Sequence, residues 1–177
     1  MKLRKRKEDE ERAKNLQKQK EPRVLIVEDE GSLANMYKMK LEKNGYKVFV
    51  ELNGLDAVSK ISDIQPKIVL LDIMMPQMDG VKTLEVIKTQ CDWVDPRIIM
   101  FTNLDSKDYI KKCKQAWADD YLVKSNTTPK EVLDKIKEYI KLDETVDNNN
   151  ENNNTDSKDL KNNKNKENKS NEDQTNS

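Results

Sequence analysis

No run of apolar residues in this 177-residue chain approaches the ~20 needed to span a bilayer. The basic start "MKLRKRK" is followed by "EDEER", where a signal peptide would need an apolar segment. Cysteine is scarce: Cys91 and Cys113 stand far apart without CxxC spacing, which argues against a disulfide framework or a zinc site. An excess of one charge is also missing. The 33 acids balance the 33 bases, so no dedicated nucleic-acid surface is expected over the chain as a whole. The expectation is a soluble protein in a reducing, cytoplasmic setting, with no membrane and no DNA among its partners.

Apolar residues make up only 34% of the chain and charged residues 37%, which is too polar for the whole length to be core. From Asp143 the composition is Asn, Lys, Asp, Glu, Ser and Thr, with Val146 and Leu160 as the only sizeable apolar residues. Such a segment cannot bury enough surface to offset its chain entropy, so residues 143–177 read as a disordered, Asn-rich tail. Residues 1–21 read as a charged arm. Glu8 and Arg12, and Glu10 and Lys14, stand four apart and would suit an exposed helix, but there is too little apolar surface for a core. One domain is expected over residues 22–142.

Within that domain two patterns alternate. "RVLIVE", "KIVLLD", "RIIMFT" and "DYLVK" are short apolar runs ending in polar groups, as strands buried on both faces should be. "YKVFVEL" is less uniformly apolar and reads as an edge strand. Helical spacing fills the gaps. Leu33, Met36, Tyr37 and Leu41 form one face, and Val81, Leu84 and Ile87 another. Tyr109, Ile110, Cys113 and Trp117 form a third, and Val132, Leu133, Ile136, Tyr139 and Ile140 the last. "NGLDAVSKI" supplies a further helix, and Thr128, Pro129 and Glu131 form a capping box with proline at the first position. Five βα units in this length imply an α/β fold, a doubly wound parallel sheet of flavodoxin-like type. An edge-like second strand suits the order 2-1-3-4-5, with ligands bound beyond the carboxyl ends of the strands.

That edge gathers chemistry. The first strand runs into Glu28, Asp29 and Glu30, the third ends in Asp72, the fourth in Thr102 and the fifth in Lys124. Two carboxylates about 4 Å apart repel by roughly 4 kcal/mol at an effective dielectric near 20. Raised pKa values, Lys124 or a hard cation could relieve them. Magnesium takes one or two carboxylates, keeps waters and often shares a phosphate with them. A carboxylate can also act as a nucleophile and form an aspartyl-phosphate. Thr102 and Lys124 would then offer a hydroxyl and an ammonium to the phosphoryl oxygens.

The motifs "LIVEDE", "LLDIMMPQMDG", "IIMFTN" and "DDYLVKS" stand in an order and spacing that resemble the response-regulator receiver domains of two-component signalling. The second motif carries most of the specificity. The resemblance implies Asp72 as phosphoacceptor and Glu28 and Asp29 as the acidic pair. It implies that Asp29, Asp72 and the backbone carbonyl of Met74 ligate Mg2+, with Glu28 acting largely through water. Thr102 and Lys124 become phosphoryl contacts, and Tyr121 the aromatic that changes rotamer with Thr102. Three positions depart from the family pattern. Ser125 follows the lysine where proline joined by a cis bond is usual, Trp117 stands where glycine is frequent, and Asn103 follows Thr102 where a small residue is common.

Other residues read as structural. Asp79 suits an N-cap, Glu30 a first-turn acid, and Gly80 the start of a helix. Met74, Met75 and Met78 suit loop and core packing, as do Trp117 and Tyr109. The chain has no histidine, so a phosphohistidine donor must be a separate histidine kinase or phosphotransfer protein. No output domain is expected after Leu142. The functional expectation is a stand-alone phosphorelay receiver signalling to an unspecified downstream protein, and not an enzyme beyond its own phosphorylation and dephosphorylation. The alternative is a degenerate, phosphorylation-independent interaction module. A flavin or nucleotide site fits less well, because "EDEGS" presents acids where phosphate would need donors and glycines.

Overall fold

The computed structural model describes residues 21–91 and 95–142. The chain divides into Met1–Lys137 and Glu138–Ser177. Of the second unit, the described residues 138–142 are helical. The arm expected over 1–21, apart from Glu21, and the tail expected over 143–177 lie outside the described residues.

The elements alternate along the chain: β1 (Arg23–Val27), α1 (Gly31–Glu42), β2 (Lys47–Glu51), α2 (Gly54–Ile64) and β3 (Ile68–Leu71). Then follow α3 (Gly80–Gln90), β4 (Arg97–Thr102), α4 (Lys107–Gln115), β5 (Asp120–Val123) and a 3-10 turn (Lys124–Asn126). A last helix, α5, covers residues 129–142. All strand pairs are parallel, in the order β2-β1-β3-β4-β5. This is the doubly wound, flavodoxin-like arrangement that the strand patterns predict. Among the described residues no helix is long and apolar enough to cross a membrane.

The three inner strands are buried almost residue for residue. Helices cover both faces of a parallel sheet, so its strands gain by being apolar on both sides. β2 alternates more and lies at one edge, and β5 is half-buried at the other. Leu25, Val27, Val69, Leu71, Ile98 and Met100 meet Ala57, Ile61, Leu84 and Ile87 from α2 and α3 in one core. Each large side chain buried there contributes roughly 1.5–3 kcal/mol.

Most helices start where side chains can satisfy the free amide groups of the first turn. Asn53 accepts from the Asp56 N–H, Asp79 from that of Lys82 and Ser106 from that of Tyr109. Thr128 and Glu131 exchange bonds in the expected capping box. Glu30 differs from expectation. It is the N-cap of α1 without a capping side chain, and its carboxylate accepts instead from the Ser32 hydroxyl.

Two helix faces also differ. In α1 the buried stripe is Ala34, Tyr37 and Leu41, while Met36 is exposed. Ala34, Tyr37 and Leu41 are spaced three and four apart, so the small residue joins the stripe and Met36 lies off it. In α4 Cys113 is the fully buried side chain, and Tyr109 and Ile110 are only partly covered. Trp117 is 66% exposed, not packed as expected. The helix ends at Gln115, and Trp117 takes a left-handed φ of 62° that turns the chain away from the helical face.

Candidate functional site

Glu28, Asp72 and Thr102 are buried at the carboxyl ends of β1, β3 and β4, and Asp29 is exposed beside them. The ladder continues one step past the strands: the Asp72 N–H donates to the Val27 carbonyl at 3.0 Å, and the Glu28 N–H to the Glu51 carbonyl at 3.0 Å. These backbone bonds bring Asp72 and Glu28 to neighbouring positions. One carboxylate oxygen each from Glu28, Asp29 and Asp72 lie within 4.8 Å of one another.

Lys124 joins two of the acids. Its Nζ donates to Asp72 Oδ2 at 2.6 Å and lies 2.5 Å from Glu28 Oε2, with all three side chains largely buried. The ammonium also stands 5.7 Å from the centroid of the Phe101 ring, which meets Tyr37 edge-on at 5.0 Å. No cis peptide occurs among the described residues, so Lys124 reaches both carboxylates from a trans bond to Ser125. The missing proline leaves the aim of the lysine intact.

Burial pushes the Glu28 carboxyl above its ordinary range, against the hydrogen bond and charge of Lys124. For Lys124, burial alone would favour the neutral amine. The hydrogen bonds and charges of Asp72 and Glu28 prevail and raise it above the ordinary lysine value. Burial also raises the Tyr37 hydroxyl, with a further contribution from the Glu28 charge. Formally, three carboxylates face one ammonium, and the exposed Asp29 leaves one side open. Clustered hard oxygen donors with an open side fit a divalent cation that keeps part of its water shell.

The loop after β3 fixes the remaining oxygen of Asp72. Its Oδ1 accepts from the Ile73 N–H at 2.6 Å and the Met74 N–H at 3.3 Å. Gly80 begins α3 as expected, for a reason invisible in the sequence. A Cβ there would lie 1.9 Å from the Asp72 carbonyl oxygen and 2.8 Å from Ile73 Cα. Its own N–H donates to the Ile73 carbonyl at 2.9 Å. Only a bare backbone can approach the end of β3 this closely.

Thr102 and Tyr121 meet through a residue that the sequence does not single out. The Leu104 N–H donates to Thr102 Oγ1 at 3.4 Å, and the Tyr121 hydroxyl donates to the Leu104 carbonyl at 2.7 Å. Burial, with smaller contributions from Cys113 and nearby acids, pushes the Tyr121 hydroxyl up to about 12. Leu104 acts through its backbone, which leaves no signature in residue type. Phe101 beneath Lys124 was likewise hidden, because it reads as one more apolar strand residue.

A family model described as the response regulator receiver domain matches residues 24–137. The chain belongs to that family. This receiver is 41% identical to chemotaxis protein CheY of Bacillus subtilis over 103 residues, 58% of this chain and 84% of that protein. It is 30% identical to protein PilG of Pseudomonas aeruginosa over 118 residues, 67% of this chain and 87% of that protein. A solved CheY-like response regulator receiver domain protein from Methanospirillum hungatei superposes with a TM-score of 0.63 at 32% identity. That likeness covers 72% of this chain and 98% of the other. The receiver is therefore of the CheY and PilG type, with an acidic pocket at the carboxyl edge of its sheet.

Proposed function

We propose that this receiver accepts a phosphoryl group on Asp72 from an external phosphohistidine donor and signals through a protein-binding face that responds to the modification. The observation that carries the reading is the Lys124 bridge to Asp72 and Glu28, with Asp29 open beside it. In the step proposed, an Asp72 carboxylate oxygen attacks phosphorus and the P–N bond of the donor breaks. The imidazole leaves with the electron pair and takes up a proton. Glu28, Asp29 and Asp72, with the Met74 backbone carbonyl, are the residues that would hold Mg2+. Bound there, the ion would neutralise charge between the carboxylate and the incoming phosphate.

Lys124 would exchange its bond to Asp72 for one to a phosphoryl oxygen, and the Thr102 hydroxyl would donate to another. Drawing Thr102 inward would disturb the Leu104 peptide and the Tyr121 hydroxyl bonded to it. A two-state shift of β5 and the flanking helices would follow. The protein is thus its own substrate, with water later hydrolysing the acyl phosphate, and it turns over no other compound. A histidine kinase or phosphotransfer protein would supply the group, in the cytoplasm, and a downstream protein would read it.

The test is incubation with Mg2+ and acetyl phosphate, followed by intact-mass and peptide analysis. One acid-stable, base-labile phosphoryl group should appear at Asp72 and be absent from Asp72→Asn. Labelling of Asp72→Asn at another residue would remove the assignment. Wild type that is never labelled, by any donor, would favour the phosphorylation-independent interaction module.

A further inference from the structure

We infer that Asn44, just past the end of α1, is a site of spontaneous deamidation that loosens that helix end, whereas the same dipeptide at Asn53 is sealed by packing. The inference is independent of the chemistry at Asp72. Two of the four glycines follow asparagine, Gly45 after Asn44 and Gly54 after Asn53. Such a dipeptide is open to attack on the asparagine side chain, because glycine has no Cβ to shield its amide nitrogen and lets the backbone turn freely. Alike in sequence, the two pairs differ in the features that the reaction uses.

The reaction needs no partner but water. The Gly45 amide nitrogen gives its proton to solvent base and attacks the side-chain carbonyl carbon, Cγ, of Asn44. The Cγ–Nδ2 bond breaks, and the nitrogen takes up a proton and leaves as ammonia. Water then adds to either carbonyl of the five-membered succinimide ring and opens it, to aspartate or to isoaspartate. The side chain must be free to swing over the following nitrogen, and the peptide between the two residues must rotate.

Asn44 and Gly45 meet both demands. They are exposed, beyond the C-cap Lys43 of α1. Gly45 has a left-handed φ of 86°, and nothing lies within 4 Å of the position that a Cβ would take. Asn44 Nδ2 donates to the Lys40 carbonyl at 2.9 Å, and the Gly45 N–H to the Glu42 carbonyl at 3.1 Å. These bonds hold the turn, but they stand at an exposed helix end, where local opening takes little free energy. Opening releases the nucleophile and the leaving group together.

Asn53 and Gly54 meet neither demand. Asn53 Oδ1 accepts from the Asp56 N–H at 2.9 Å, and its Nδ2 donates to Asp56 Oδ2 at 2.9 Å. Gly54 is buried, and a Cβ there would lie 1.9 Å from Thr83 Oγ1 and 2.8 Å from the Met78 carbonyl oxygen. Rotating that peptide would lift α2 from α3. At Asn44 the product also matters to α1. It loses the donor to the Lys40 carbonyl and sets a carboxylate at the negative end of the helix dipole.

The experiment incubates the full chain in warm, mildly alkaline buffer for several weeks. Samples are digested at acidic pH, and aspartyl and isoaspartyl peptides are separated and identified by mass spectrometry. Asn44 should convert to both products, about tenfold or more faster than Asn53 in the same molecules. In a parallel sample unfolded in urea the two rates should come within about twofold, because the packing that separates them is gone. Asn44→Asp, which carries one of the two products, should melt below wild type. Conversion of Asn53 as fast as that of Asn44 in the folded chain would overturn the inference, as would a folded chain that spares both. A tenfold gap that persists in urea would overturn it too, since neighbouring residues and not the fold would then set the rates. So would an Asn44→Asp variant that melts as high as wild type.

Discussion

At the scale of single residues, Lys124 is the keystone of the site. It holds two buried carboxylates at once, so deleting its ammonium leaves Glu28 and Asp72 facing each other with little access to water. Breaking one partner of a buried ion pair costs about 3–5 kcal/mol, chiefly because the remaining charge is uncompensated. Lys124→Ala should therefore lose about that much in urea unfolding without added metal. Much of the loss should be recovered when Asp72→Asn is added, because the pair then has less charge to strand. A loss below about 1 kcal/mol, or additive effects, would contradict the bridge. The residues of this site were legible because they terminate apolar strands, where a polar group must face outward. The demand on Gly80 was not, since a 1.9 Å clash with the Asp72 carbonyl arises only once α3 is laid against β3.

At the scale of elements, α4 is the helix most thinly attached to the core, with Cys113 as its fully buried side chain. Burial, with a smaller contribution from the Asp79 charge, pushes the Cys113 thiol up from 9.0 to about 11. The unfolded chain would ionise this thiol from about pH 9, whereas the folded chain resists until about 11. The stability present below pH 9 should therefore be lost progressively between those values, by roughly 2–3 kcal/mol. Tyr121, raised to about 12, should extend the decline. Urea midpoints recorded from pH 8 to 11 should fall for wild type and stay flatter for Cys113→Ala. An equally steep fall in the variant would show that Cys113 is not the titrating group. The same helix shows where periodicity misleads. Tyr109, Ile110, Cys113 and Trp117 share one face only if the helix reaches Trp117, and it stops at Gln115. Spacing carries no directional meaning beyond a helix end.

At the scale of the whole molecule, strand composition made the sheet order readable. The mixed run forms β2 at one edge, whereas "DYLVK", read with the doubly buried runs, forms β5, which is half-buried at the other edge because only β4 flanks it. Contacts between helices were not readable in this way. Gly54 at the start of α2 lies so close to α3 that a Cβ would fall 1.9 Å from Thr83 Oγ1, and no sequence period encodes such proximity.

The position of β2 has a consequence for how copies of the protein behave at high concentration. The outer side of an edge strand is a template onto which another chain can add. Here the strand opens with exposed Lys47, whose ammonium lies 5.5 Å from the Phe49 ring centroid and covers an aromatic that would otherwise invite stacking. A second copy approaching along this edge must strip water from that ammonium, so growth of the sheet from molecule to molecule is discouraged. Lys47→Val should weaken the barrier, and light scattering should then rise more steeply with concentration than for wild type, while dilute samples keep the same melting point. Unchanged scattering would move the protection elsewhere along the edge. Increased scattering would mean that one lysine separates a protein that stays dispersed in a crowded solution from one whose sheets add edge to edge.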